Sequence, residues 1–450
     1  MSKSEVDYYK PYSFSKKTLS NGLEVLLVKD TALPYISFDM MFRSGSRMDP
    51  ADKEGLMALL TEVIDKGTKK LSAVQVAENI EVLGTSFLYS LNKDALFFSV
   101  ETLSWLDEKA LEIFSQIITQ PSFLEQEFQR AKEKAIGWVK RSGEDFSSYS
   151  SRVFNKYLYE SHPYGFYQNG SLGSLKEISG GDIKKRYDEY FYPHNALFSI
   201  SGQYSDDIIE KLEKFLGKWK APSGVSETSS KKNIDISLVP SVKRKELLII
   251  NHPAAIQSEI RMGHISVNSS HPDYLSLKTA NVILGGSFNS RLMKRIRVQK
   301  GLTYGISSAF SAKKELGAFK IGLAVRNDKV GSALLEIMGV LEDFHKNGLT
   351  AEELEKAKQL LKNQFITRVS TADSFAHYLM YLNSQDISYS YAKEYFVKLT
   401  SLSLDTVNEA VSKHLHPDQM KVLILTNVDK VKSQLRDFEP FTVKDYKTFL

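Results

Sequence analysis

Residues 178–202 read ISGGDIKKRYDEYFYPHNALFSISG, and residues 402–427 read LSLDTVNEAVSKHLHPDQMKVLILTN. Each is a helical stretch, then an aromatic or His-Pro corner, then an apolar strand. Outward from these two endings, the same succession of elements precedes both. An apolar strand opens each half, in LSNGLEVLLVKD (19–30) and KRKELLIINHP (243–253), and Asn21-Gly22 in the first signals a hairpin turn. Helical segments follow at 53–66 and 271–284. Strand-like segments come next, SFLYSLNKDALFFSVETL (86–103) and TYGISSAFSAKKELGAFKIGLAV (303–325). A long helix pair at 111–136 parallels one at 335–365. An order shared over so many elements predicts a duplicated α+β fold, two homologous lobes that are each a mostly antiparallel sheet packed with helices. The stretch Ala221–Lys232, APSGVSETSSKK, has turn formers and no apolar periodicity, so it reads as the linker. The expected lobes are then 1–221 and 233–450, joined by 222–232, in a clamshell arrangement with a cleft between them by analogy with other two-lobed proteins.

Composition narrows the function classes. The 450 residues are 42% hydrophobic and 25% charged, an ordinary globular balance. The formal charge is +5 and no dense basic block occurs, which argues against a nucleic-acid partner. There is no cysteine, which excludes disulfides, thiolate-bound zinc, iron–sulfur clusters and a thiol nucleophile. No stretch approaches the ~18–20 apolar residues of a membrane helix, so no membrane span is expected. The start, MSKSEVDYYKPYSFSKK, is polar and has no leader-like apolar core. The sequence shown reads as cytoplasmic, or as periplasmic if a leader has been removed.

Within GLMALLTEVIDKGT (55–68), Leu56, Leu59, Leu60, Val63 and Ile64 form one apolar stripe of an amphipathic helix. Ala58, Thr61 and Glu62 share the opposite face. This segment resembles the first-lobe helix of the M16 metallopeptidases, the family of pitrilysin, insulysin and mitochondrial processing peptidase, whose pattern is G-L-x-H-x-x-E-H-x-x-x-K-G-T. Gly55, Leu56, Lys66, Gly67 and Thr68 match it. The resemblance extends over nearly the whole chain, through NGLEVLLV, RSGSRMDP, HPYG at 162–165 and YFYPHNALFSISG. In the family the two His bind zinc and the Glu activates water. Here those positions are Ala58, Thr61 and Glu62. Ala58 has no donor, Thr61 has no basicity for deprotonating water, and one carboxylate makes no zinc site. The family's third ligand is a Glu on the next long helix, and the corresponding stretch 135–140, AIGWVK, has Gly137 and Trp138 where it would stand. The close pair His414 and His416, beside Pro417, reads as surface or capping histidines. The expectation is a chain with no catalytic zinc and no cofactor of its own.

The segment 285–310, GGSFNSRLMKRIRVQKGLTYGISSAF, reads differently. Gly285-Gly286 lacks the spacing of a nucleotide loop and is a flexible turn. Asn289 or Ser290 caps a helix that runs to Lys300, with Gly301 as its C-terminal cap and a strand from Thr303 to Phe310. From the residues alone, Arg297 is a helix-end charge and Tyr304 a strand aromatic. RVQKGLTY resembles the R-x-x-x-G-L-x-Y segment of M16 second lobes. There the Arg holds substrate backbone and the Tyr hydroxyl faces the tetrahedral oxyanion. By resemblance, Arg297 and Tyr304 are the catalytic groups, Arg297 is also substrate-binding, and both act in trans on a partner's zinc site. Some bacterial M16 peptidases of this length are heterodimers in which one subunit has the zinc motif and the other supplies Arg and Tyr. The implied function is the zinc-less subunit of such an enzyme, with an H-x-x-E-H-bearing homologue and unfolded peptides as partners and zinc in that homologue. The competing reading is a binding or scaffold protein with a degenerate peptidase fold.

Overall fold

The computed structural model describes residues 12–222 and 245–450. The first residues of the chain and the expected linker beyond Pro222 lie outside the described residues. The first sheet is built from β1 (Ser15–Thr18), β2 (Glu24–Lys29), β3 (Tyr35–Phe42), β4 (Leu88–Leu91), β5 (Leu96–Leu103) and β6 (Ala196–Gly202), in the order β1-β2-β6-β3-β5-β4. The second uses β7 (Glu246–Asn251), β8 (Gln257–Ser266), β9 (Ile306–Ser311), β10 (Gly317–Arg326), β11 (Lys421–Thr426) and β12 (Phe441–Asp445), in the order β12-β7-β11-β8-β10-β9. Beyond the first edge strand the two orders correspond position by position. Only β2 with β6, β7 with β11, and β7 with β12 run parallel; the other named pairs are antiparallel. The duplicated, mostly antiparallel α+β fold expected from the sequence is what the chain adopts.

The two stretches that led to this expectation become interior strands of the two sheets. The helix Gly180–Tyr190 and the turn Pro193–Asn195 lead into β6, and the helix Leu404–His414 and the turn Pro417–Gln419 lead into β11. Every residue of both strands is buried. A strand inside a sheet with both faces covered carries apolar side chains on both sides, which is why KVLILT shows no alternation.

By contacts the chain forms two compact units, and each draws on both halves of the sequence. Among the described residues, the first comprises 12–137, 167–222 and 365–393, and the second 138–166, 245–364 and 394–450. In the second unit the helix Phe146–Tyr159 covers one sheet face, where Tyr149, Val153, Phe154 and Leu158 meet Leu248, Ile250, Leu423 and Leu425. The other face carries Ile249, Ile260, Met262 and Phe319 against Leu334, Ile337 and Leu341 of the helix Val330–Asn347 and Val407 and Val411 of the helix Leu404–His414. In the first unit the helix Ala372–Ser384 lies over β2, β3 and β6. Ser37 and Asp39 of β3 stand in register with Ser201 and Ser199 of β6, so the sheet face bearing them is polar. The helices Phe146–Tyr159 and Ala372–Ser384, and strands β3 and β8, are absent from the sequence reading. No helix among the described residues is long and apolar enough to cross a membrane.

Candidate functional site

Arg297 and Tyr304 belong to the second unit and are brought together. Ser290 rather than Asn289 starts the helix, accepting from the Met293 amide at 3.4 Å. The chain does not continue as an ordinary α-helix: Met293–Gln299 is a π-helix, and Lys300 N–H donates to Arg295 O at 3.1 Å across five residues. Such widened turns are uncommon and recur at functional sites. Gly301, at φ +60°, ends the turn as expected, donating to Arg297 O at 3.1 Å. The glycine pair also has a packing role: a Cβ on Gly285 would lie 2.3 Å from Ser308 Oγ.

Tyr304 is not in a strand, contrary to the reading from residues alone. β9 begins at Ile306, and Thr303–Gly305 forms a loop. The Thr303 hydroxyl causes this. It donates to Ala324 O at 2.6 Å and accepts from Gly305 N–H at 3.2 Å, tying the chain into a turn beside β10. Tyr304 projects from that turn and is 88% exposed. The Arg297 guanidinium carbon sits 4.8 Å from the centre of its ring and 5.1 Å from that of Phe288, which is also exposed. Arg297 has no ion pair or hydrogen-bonding carboxylate among the described residues. Its neighbours do: Arg295 and Lys300 share Glu336, both at 2.6 Å. The arrangement therefore differs from a generic helix-end charge cluster. One arginine is held on aromatic faces with its donors unpaired among the described residues, next to a phenol whose hydroxyl is likewise unpaired among them. Phe288 and the π-turn carry no sequence signal that marks them.

The helix of the first unit that resembles the zinc helix is Leu56–Val63. Thr61 is buried rather than on an open face, and its hydroxyl donates to Met57 O at 2.7 Å. Glu62 is neither a ligand in waiting nor a freely solvated acid. It accepts from the Tyr89 hydroxyl and from Lys134 Nζ, the latter at 3.0 Å. Burial works to raise its pKa, but these two hydrogen bonds and the charges of Lys134 and Lys66 hold it below the ordinary glutamate range. Lys134 comes from the helix Glu125–Arg141, the one on which the family carries its third zinc ligand. An ammonium thus neutralises the one remaining acid of the motif. Ala58, Thr61 and Glu62 together offer no zinc donor set.

Two other clusters gather histidines and acids. In the first unit His377 Nε2 lies 2.8 Å from Asp39 Oδ1 and its Nδ1 lies 3.5 Å from Asp373 Oδ2. Both ring nitrogens face carboxylates, so this is an imidazolium held by acids. The Asp39 hydrogen bond first, then the charges of Asp39, Asp373 and Glu101, raise its pKa to about 9 against the opposing effect of burial. Tyr35 of β3 stands near Asp373 and Glu101 as well. A raised histidine pKa contributes stability that is complete below about 6.5 and lost as pH rises through about 9. The side chain is 45% exposed, so solvent screening reduces the contribution to about 1–2 kcal/mol. Denaturant unfolding of the wild type is expected to lose that much between pH 6.5 and 9.5, and His377→Gln to flatten this part of the profile. In the second unit His271, Asp273 and His414 converge. His416 is half-buried before the turn Pro417–Gln419, its ring 5.2 Å from that of the buried His264 and its amide donating to His264 Nε2 at 3.2 Å.

Comparison with known proteins places these observations. A family model described as insulinase (peptidase family M16) matches residues 24–165, and one described as the peptidase M16 inactive domain matches residues 177–361. The chain is similar to an uncharacterized zinc protease YmxG of Bacillus subtilis, 22% identical over 79% of this chain and 85% of that one. It is similar to a non-peptidase homolog YmxG of Helicobacter pylori, 23% identical over 91% and 93%, and to a zinc protease PqqE of the same species, 26% identical over 82% and 83%. Its fold matches a peptidase M16 inactive domain from Pseudomonas fluorescens, with TM-score 0.83, 24% identity and coverage of 92% and 98%. It also matches a protease from Helicobacter pylori, with TM-score 0.82, 20% identity and coverage of 92% and 100%.

Proposed function

The chain belongs to peptidase family M16, and from that premise we propose that it is the zinc-less subunit of a heterodimeric peptidase. Its partner is an H-x-x-E-H-bearing homologue that holds the zinc, and its substrates are unfolded peptides. The observation that carries this reading is Arg297. A scaffold has no use for a guanidinium held against Phe288 and Tyr304 with no acid partner among the described residues while Arg295 and Lys300 are paired.

The chemistry available to this chain is recognition and charge stabilisation. A guanidinium presents a planar fork of donors suited to peptide carbonyls and carboxylates, and it is charged at every working pH. A phenol is a neutral donor at pH 7. Aimed at the oxygen of a peptide carbonyl, it binds the negative charge that develops there as water adds. Water activation belongs to the partner, because Ala58, Thr61 and the Lys134-bound Glu62 cannot supply it. That relatives described as a zinc protease and as a non-peptidase homolog occur in one species, Helicobacter pylori, supports a division of labour between two such chains.

Association tests the proposal. Purified separately and mixed, this chain and the H-x-x-E-H homologue are expected to elute from a sizing column as one complex containing both. Two separate peaks at micromolar concentrations would favour the scaffold reading instead.

A further inference from the structure

His271, Asp273 and His414 lie outside the Arg297–Tyr304 site and outside the zinc-like helix. His271 stands in the turn before the helix Tyr274–Leu284, Asp273 at the N-terminal cap position of that helix, and His414 is the last residue of the helix Leu404–His414 packed against it. Asp273 is an uncommon cap residue in that its carboxylate makes no bond to the helix it precedes. A capping aspartate stabilises the helix it starts, so turning away from the helix forgoes that gain. The carboxylate faces the two histidines instead. Oδ2 is 2.8 Å from His414 Nε2 and 3.9 Å from His271 Nδ1, and the two rings meet edge to face with centroids 5.1 Å apart.

This convergence exceeds what a hydrogen bond needs. One imidazole satisfies the carboxylate oxygen, and the second stands beyond bonding distance with its Nδ1 accepting the Asp273 amide at 3.1 Å. The spacing suits a metal better. Bonds of about 2.0–2.2 Å in a tetrahedral site place neighbouring donors roughly 3.3–3.5 Å apart. The two observed separations bracket that value, and all three donor atoms lie within 4.8 Å of one another. Small side-chain rotations close one separation and open the other.

We propose that His271, Asp273 and His414 bind one divalent transition-metal ion of the zinc or nickel class, clipping together the ends of these two helices. Two imidazole nitrogens and one carboxylate oxygen are the donor set such ions prefer over calcium or magnesium. Each of the three side chains keeps some solvent exposure, so an ion has an entry path and water completes its coordination. On binding, the metal takes the place of the proton between His414 Nε2 and Asp273: a neutral ring shifts that proton through solvent to Nδ1, and a charged ring releases it to solvent. His271 Nδ1 exchanges its bond from the Asp273 amide for the metal. Lys413, whose Nζ is 3.5 Å from Asp273 Oδ2, is well exposed and swings into water. The expectation of a metal-free chain came from the helix 55–68 and from reading His414 as a surface or capping histidine. The fold brings it beside a histidine 143 positions earlier in the sequence (414 minus 271).

The test uses the full chain stripped with a chelator, titrated with zinc chloride and dialysed, with bound zinc measured by mass spectrometry. The expected result is one zinc per chain and a higher melting temperature with zinc than without. His271→Ala and His414→Ala are each expected to weaken zinc binding about tenfold or more, while Glu62→Gln retains it fully. Cobalt in place of zinc is expected to give a visible ligand-field absorption that either histidine variant loses. Where His414→Ala does not fold, His271→Asn, in a half-buried turn outside the helices, makes the same test. Absence of retained zinc overturns the proposal, as does retention unchanged in a folded histidine variant. Loss of zinc in Glu62→Gln alone overturns it too and moves the metal to the helix 56–63. None of these outcomes bears on the association with a homologue.

Discussion

In the mixed complex, Tyr304→Phe lowers kcat by about 100-fold or more and leaves KM little changed. The substitution keeps the ring that supports Arg297 and removes one donor. Tyr304 is 88% exposed and its hydroxyl has no hydrogen-bond partner among the described residues, so the isolated chain loses nothing in stability. A donor that meets only the developing oxyanion affects the transition state and not the bound ground state, which is why the loss falls on kcat. Arg297→Ala is a different kind of change. It removes a charged contact to substrate backbone, so KM rises as well, and it strips Phe288 and Tyr304 of the cation between them. Steady-state kinetics of the two variants, with assembly checked on a sizing column, read both effects. A wild-type rate for Tyr304→Phe removes the oxyanion assignment, and an unchanged KM for Arg297→Ala removes the substrate contact.

The second large effect is on stability. Asp94→Ala costs about 3–5 kcal/mol of unfolding free energy. Arg47 and Asp94 are each only 4% exposed at the side chain and lie 3.1 Å apart. Deleting the acid leaves a buried guanidinium without the carboxylate that faces it. Replacing both residues, as Arg47→Met with Asp94→Leu, is expected to cost far less, because no buried charge is left behind. Urea unfolding of the single and double variants measures both. A single variant within 1 kcal/mol of wild type would show that water or another group takes over the pairing. Arg47 lies in RSGSRMDP, and the rest of that segment is also a brace. Arg43 donates to the carbonyls of His194 and Ala196 and pairs with Glu24 at 2.6 Å. Asp49 accepts from the Gly55 and Met57 amides at 3.0 Å each and so caps the helix Leu56–Val63. Burial pushes its carboxyl up to about 7 against the Arg186 charge and those two bonds. The motif that carries part of the family resemblance thus performs scaffold work at the start of the helix Leu56–Val63.

What the sequence made legible follows from periodicity and local chemistry. The two endings 178–202 and 402–427 announced β6 and β11 because each has a helix, a proline corner and a largely apolar strand. Gly301 announced a helix end because a left-handed residue there favours glycine. Strands β3 and β8 were not legible. Asp39 interrupts the first, and Glu259 and Arg261 the second, and Asp39 and Arg261 have partners far away in sequence. Asp39 faces His377, and Arg261 reaches the Ser147 carbonyl at 3.1 Å and pairs with Glu259 at 3.0 Å. The helices Phe146–Tyr159 and Ala372–Ser384 were hidden in the same way, since each packs on the sheet built mainly from the other half of the sequence. At the site, Arg297 and Tyr304 were visible through resemblance and their proximity is visible in the fold. Phe288, the π-turn and the Thr303 hydroxyl that lifts Tyr304 out of the strand follow from tertiary contacts. The same holds for Lys134 on Glu62, which spans 72 residues.

The central claim is that this chain completes another chain's active site. Its most direct test holds the H-x-x-E-H homologue at fixed concentration and adds this chain while cleavage of an unstructured fluorogenic peptide is followed. The account predicts little hydrolysis by either protein alone and a rate that rises with added chain to a plateau at one equivalent. Full activity of the zinc-bearing homologue alone, unchanged by any amount of this chain, would contradict it.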